Sequence, residues 1–165
     1  MEQRYDLSGS LLHWYDYNKR ILPWRENKDP YRIWISEIML QQTRVEAVKP
    51  YFDRFMEVLP TVYDLAKVDD DRLMKLWEGL GYYNRARNLK VAAQTIVEEY
   101  GGQLPADYDK LLSLKGIGMY TAGAIGSIAF ELQVPAVDGN VLRVLTRLWG
   151  DDSDILKDKT KKAMG

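Results

Sequence analysis

Residues 111–130 read LLSLKGIGMYTAGAIGSIAF, and the reading of this stretch decides the fold. A short apolar segment ending at Leu114 runs into Lys115-Gly116-Ile117-Gly118, and an Ala- and Gly-rich helix is expected over 121–130. Glycines in such a turn allow positive φ and let a partner's backbone come close. Gly118 immediately precedes the second helix, so the amides of the turn and of the first helical turn point outward together. With the helix dipole behind them, such a nest suits a phosphate. The contact reads no base, as a module that tracks a sugar-phosphate backbone requires. A plain glycine-rich interhelical turn would explain Gly116 and Gly118 taken alone. The whole run from Leu114 through Thr121-Ala122 favours a helix-hairpin-helix, with Lys115, Gly116 and Gly118 as candidate phosphate contacts. Ala122, Gly123, Ala124, Gly126 and Ala129 keep its second helix slim, so that neighbours can pack closely.

Outward from the hairpin the pattern is helical nearly everywhere. Helices are expected over 7–17, from Pro30 through Gln42, and over 50–58, 64–68, 70–80, 84–100, 106–114 and 141–149, with 134–137 extended. Pro30 suits a first helical turn, and Gly101-Gly102 closes the longest pattern. No strand-like alternation persists and no repeat is visible, so the chain reads as all-α with short connections.

The chain has 165 residues, 46% of them apolar, enough for one sizeable core or two small lobes sharing a cleft. Its net charge is -1, less basic than many nucleic-acid enzymes, although a local basic face is what binding requires. It has no cysteine, so it offers neither a disulfide framework nor thiolate ligands for zinc or an iron–sulfur cluster. No apolar run approaches the roughly 18 residues of a membrane span, and no signal-like leader opens the chain, so a cytoplasmic location is expected. The sequence stops at Gly165 inside a Lys-rich segment with no helix stop, which reads as a truncation.

Two carboxylates stand in unusual settings. In PYRIWISEIMLQQT, residues 30–43, apolar side chains surround most of the helix that carries Glu37. Burial there should raise its pKa, as a general acid at neutral pH needs. A loop cap, or an ion pair with Arg32 or Arg44, would be the ordinary alternative. Asp138 opens Asp-Gly-Asn before a helix and reads equally as an N-cap. A helix N-terminus favours its anionic form. One protonated carboxyl beside one anion is the division of labour of glycosidic cleavage. In GLGYYNRARNL, residues 79–89, Tyr82, Tyr83, Arg85 and Arg87 make a Gly-flanked aromatic and basic corner with no acid until Glu98. Such a corner suits DNA, although a half-buried aromatic pair and a solvated helix face would also fit it.

The runs SEIMLQQTRV, GLGYYNRARNL, LKGIGMYTAGAI and AVDGNVLRVLTR, taken together and in this order, resemble the MutY-type adenine glycosylases of the helix-hairpin-helix DNA glycosylase superfamily. The resemblance covers the chain from about residue 11 to 149. One departure in the hairpin is Lys115, where such hairpins commonly have proline. The resemblance implies two helical lobes, with residues 24–133 forming the lobe that contains the hairpin (about 106–130), and 1–23 plus 134–165 beginning a second. It implies that Glu37 protonates a mispaired adenine and directs water, that Asp138 stabilises a cationic sugar, and that Asn140 helps to position it. Gln41 or Gln42, with Thr43, would lie near the opposite base, and Tyr82 would wedge the duplex. Tyr120 stands where strand-cutting relatives carry a Schiff-base lysine, so a monofunctional enzyme is expected. The partner would be double-stranded DNA with an adenine opposite 8-oxoguanine or guanine, bound by a monomer. This chain would hold no cofactor; a four-iron four-sulfur cluster and a further 8-oxoguanine-recognising domain would belong to the full-length protein. A thymine-mismatch glycosylase, a non-catalytic DNA-binding hairpin module and a helical scaffold are the alternatives.

Overall fold

A computed structural model describes residues 7–150, all of whose regular elements are helical. Helix α1 spans Leu7–Asn18, and a 3-10 turn follows at Pro23–Arg25. Then come α2 (Pro30–Met39), α3 (Val45–Val58), α4 (Val62–Lys67) and α5 (Asp70–Trp77). Helices α6 (Asn84–Tyr100), α7 (Tyr108–Ser113), α8 (Met119–Phe130) and α9 (Gly139–Trp149) complete the described chain.

The starts are set by local chemistry. Asp29, Asp69 and Asp107 each cap a helix by accepting a hydrogen bond from a first-turn amide, and Thr61 and Asp64 form a reciprocal capping box. Helix α2 is the axis of the core. Ile33, Trp34, Ile35 and Met39 are fully buried on several sides of it, against α3, α8 and the 3-10 turn. The continuous core runs from Trp24 to Ile125. Trp24 meets Phe52 edge-on at 5.3 Å, and Phe55 meets Trp77 at 6.2 Å. Helix α1 buries none of its residues, and Leu11, Leu12 and Trp14 are exposed on it, as are Leu148 and Trp149 on α9. Residues 1–6 and 151–165, which the expected second lobe includes, lie outside the described residues.

Three boundaries differ from the sequence reading by three residues or more. Helix α3 begins at Val45 rather than Pro50, and carries the proline inside. Val48, Phe52 and Phe55 fall on one buried stripe, whose packing outweighs the hydrogen bond that Pro50 cannot donate. Helix α2 stops at Met39 instead of reaching Gln42, which adopts a left-handed backbone with φ +58°. Nothing local stops it; the guanidinium of Arg85, more than forty residues away, takes the carbonyls of Ile38, Met39 and Gln41. Helix α5 likewise ends at Trp77, ahead of the turn carrying Tyr82.

The extended strap 134–137 crosses α8 at Gly123. A Cβ there would lie 2.0 Å from the carbonyl oxygen of Pro135, so only glycine lets the strap pass. That crossing delivers Asp138 to the start of α9.

Candidate active site and nucleic-acid interface

Glu37 is 3% exposed on α2, nearly as buried as its apolar neighbours. Its Oε1 accepts a hydrogen bond from Arg25 Nη2 at 3.0 Å, and Tyr120 lines the same pocket as the carboxylate. Burial raises the Glu37 pKa above the usual glutamate range, while Arg25 and Tyr120 pull the other way without cancelling it. Glu37 does pair with an arginine, as the ordinary alternative allowed, but with Arg25 and not with Arg32 or Arg44. Arg32 donates to the Pro23 carbonyl and lies near Glu26, and Arg44 stands at the N-cap of α3. Arg25 was missed because it lies twelve residues away on the 3-10 turn, where the buried Trp24 anchors it.

Tyr120 sits in the first turn of α8, two residues past Gly118. Its pKa is pushed up to about 12, first by burial and then by the charge of Glu37, so it is a neutral phenol near neutral pH. Asp138 is the N-cap of α9. Its Oδ1 accepts from the Val141 amide at 2.8 Å, and its Oδ2 accepts from Asn140 Nδ2 at 3.2 Å. Those donors and the helix N-terminus suit a carboxylate anion. Glu37, Tyr120 and Asp138 line one pocket of about 510 Å³ with Arg25, Gln41 and Gln42. A protonatable buried acid and a capped carboxylate therefore face the same space, large enough for a base and its sugar.

The other expected contacts lie around this pocket. Gln42 is exposed, whereas Gln41 and Thr43 are half-buried. Tyr82 is 66% exposed and, like Gln42, holds a left-handed backbone, with φ +49°. Arg87 stays on the surface, donating to Asn84 Oδ1 at 2.9 Å. Arg85 departs from the expected contact role, because its guanidinium points into the protein and its terminal donors go to backbone carbonyls. In the sequence the arginine stands in a run without acids and so suits basic surface; only the turns folded around it reveal the other duty.

At the hairpin, Lys115, Gly116 and Gly118 are exposed. Gly116 has φ +80°, and a Cβ there would meet Asn88 Cβ at 2.8 Å, so both backbone and packing demand glycine. Gly118 is different. Its backbone is extended, no side chain caps α8, and a Cβ there would meet nothing within 4 Å. Among the described residues no packing contact requires glycine at 118, and the turn is open there.

The sequence matches the family described as "HhH-GPD superfamily base excision DNA repair protein" over residues 35–165. It is 48% identical over 149 residues to an adenine DNA glycosylase of Homo sapiens, covering 85% of this chain and 27% of that protein. It is 45% identical over 157 residues to an adenine DNA glycosylase of Buchnera aphidicola subsp. Acyrthosiphon pisum (strain APS), covering 94% and 45%. The chain thus spans less than half the length of these curated relatives. Among solved structures it is similar to a thermostable thymine-DNA glycosylase, with a TM-score of 0.85 and 30% identity over 94% of this chain and 74% of that one. It is also similar to an endonuclease III in a non-covalent DNA complex, with a TM-score of 0.77 and 27% identity over 100% and 79%.

Proposed function

Because this chain belongs to the HhH-GPD superfamily of base excision DNA repair proteins, we propose that it hydrolyses the N-glycosidic bond of an adenine mispaired with 8-oxoguanine or guanine. The observation that carries the reading is Glu37: a buried carboxyl with a raised pKa, facing Asp138 across one pocket. The adenine leaves the base stack, since its glycosidic bond is out of reach inside a duplex. Glu37 gives its proton to a ring nitrogen, so the base departs neutral while the C–N bond breaks. The sugar becomes oxocarbenium-like, and the Asp138 anion, held by Val141 and Asn140, stabilises it. Water adds to the sugar, its proton returns to Glu37, and an abasic site is left. The neutral Tyr120 hydroxyl and Arg25 orient the Glu37 carboxyl. Gln42 or Gln41, Thr43 and Tyr82 contact the opposite base and the opened duplex, and Arg87 and Lys115 meet phosphates. The protein acts as a cytoplasmic monomer. Among the described residues, no helix is long and apolar enough to cross a membrane. The chain has no cysteine to ligate an iron–sulfur cluster, and no step here passes through one.

A thymine-mismatch reading is favoured less. Its solved relative is 30% identical against 45–49% for several adenine glycosylases, and a leaving purine makes use of an acid at position 37. The test is single-turnover base release from duplexes carrying adenine opposite 8-oxoguanine or thymine opposite guanine. Adenine release with the strand left intact until base is added is expected. Preferential thymine release would reverse the assignment, and strand scission by the chain alone would sink the monofunctional part.

The hairpin carries its own prediction. Gly118→Ala is expected to change stability by less than about 1 kcal/mol, because the poorer cap and the stiffer unfolded chain oppose each other. Duplex affinity should fall roughly tenfold, the loss expected when a backbone contact is pushed away. Thermal melting and a salt titration of duplex binding check both halves. Unchanged affinity would mean that no phosphate reaches this turn.

A further inference from the structure

Three non-glycine residues of the described chain have positive φ: Gln42, Tyr82 and Glu131. Glu131 is the ordinary left-handed cap of α8, closed by its own amide bonding to the Gly126 carbonyl. Gln42 and Tyr82 have no such explanation, because each lies in a turn between helices. A side chain in this region is disfavoured, and it persists only where the surroundings fix it.

One side chain fixes both. Arg85 Nη1 donates to the carbonyls of Ile38, Met39 and Gln41 at 2.7, 3.2 and 2.8 Å. Its Nη2 donates to the carbonyls of Leu80 and Gly81 at 3.0 and 3.2 Å. Two of these acceptors are particular. The Gln41 carbonyl belongs to the peptide that enters Gln42, and the Gly81 carbonyl to the peptide that enters Tyr82. The guanidinium also lies over the rings of Trp77 and Tyr82, at 5.3 and 5.7 Å, and Trp77 Nε1 donates to the same Gly81 carbonyl at 3.1 Å. Carbonyls from two separate turns thus converge on one cation.

We propose that Arg85 is a positioning residue that joins the Gln42 turn and the Tyr82 turn into one rigid unit, so that both side chains enter a duplex together in a fixed relative geometry. The role in DNA rests on the function proposed above; the mechanical coupling does not. A lysine could not replace it, since an ammonium is a single point of donation and cannot fork to two turns at once.

The test has two arms. In the free chain, amide hydrogen exchange is compared between wild type and Arg85→Lys. Exchange at residues 40–44 and 79–83 should rise together, roughly tenfold, while the middle of α6 stays protected. A rise at one turn only would overturn the coupling. If Arg85→Lys does not fold, Tyr82→Ala asks the same question: loss of its ring over the guanidinium should raise exchange at 40–44 as well as locally, and a purely local rise overturns the proposal. In the second arm, a duplex with 2-aminopurine beside the mismatch reports base unstacking by fluorescence. Arg85→Lys, still folded, should lose most of the signal, and equal signals from both proteins would overturn the proposed coordinated entry. No signal from wild type counts against the DNA function, and the exchange arm then decides the coupling alone.

Discussion

Glu37→Gln is expected to lower single-turnover adenine release by about three orders of magnitude, within the range that positioned proton transfer supplies. Glutamine keeps the shape of the side chain and can still accept from Arg25, so the pocket should survive while the transferable proton is lost. The pH profile adds a second readout with a definite sign. Burial raises the Glu37 pKa, so the acid form persists to higher pH than an exposed glutamate allows. Wild-type release should therefore be full at low pH and fall as pH rises through that raised value, and the Gln variant should lose this limb. Stability follows the same linkage. The folded state binds the proton more tightly than the unfolded chain, so the stabilising contribution of protonation is present below the ordinary glutamate pKa and is lost as pH rises through the folded one. At neutral pH the Gln variant should thus melt no lower than wild type. A variant that releases adenine at the wild-type rate would move the acid to another residue, and a large drop in melting temperature would mean that the lost rate reports unfolding.

The sequence carried the all-α class and the hairpin because both are written in local terms: apolar periodicity, helix-bounding prolines and glycines, and the two glycines of one turn. It placed Glu37 on a buried helix for the same reason. What it could not supply was anything set by contact across the fold. The end of α2 depends on a guanidinium from α6, and nothing in the local run Leu40-Gln41-Gln42 stops a helix. Pro50 looked like a start because proline rules are local, whereas the Val48, Phe52 and Phe55 stripe that keeps it inside α3 is bound to the core. Arg25 was invisible as the partner of Glu37 because the two meet only once the 3-10 turn packs on α2. The need for Gly123 depends likewise on Pro135 crossing above it, and that crossing brings Asp138 within reach of Glu37 and Tyr120.

Asp138 poses the sharper question, because a helix cap and a catalytic anion make the same local structure. Asp138→Asn separates them. Asparagine caps about as well as aspartate, and its side-chain oxygen can still accept from the Val141 amide, so stability should change by no more than about 0.5 kcal/mol. The negative charge facing the pocket is gone, and adenine release should fall by about 10²–10³, as when one electrostatic contact is removed from a developing charge. Asp138→Ala should lose as much rate and also about 1 kcal/mol of stability, from the missing cap. Melting curves and single-turnover rates on the two variants therefore yield a pattern rather than a single loss. If the Asn variant keeps the wild-type rate, Asp138 serves only as the cap of α9, and the cationic sugar must be stabilised by Glu37 itself once it has given up its proton. If the Asn variant is slow but folded, the helix start that fixes α9 also supplies the anion, and the same carboxylate that orders the chain at Asp-Gly-Asn carries charge into the reaction.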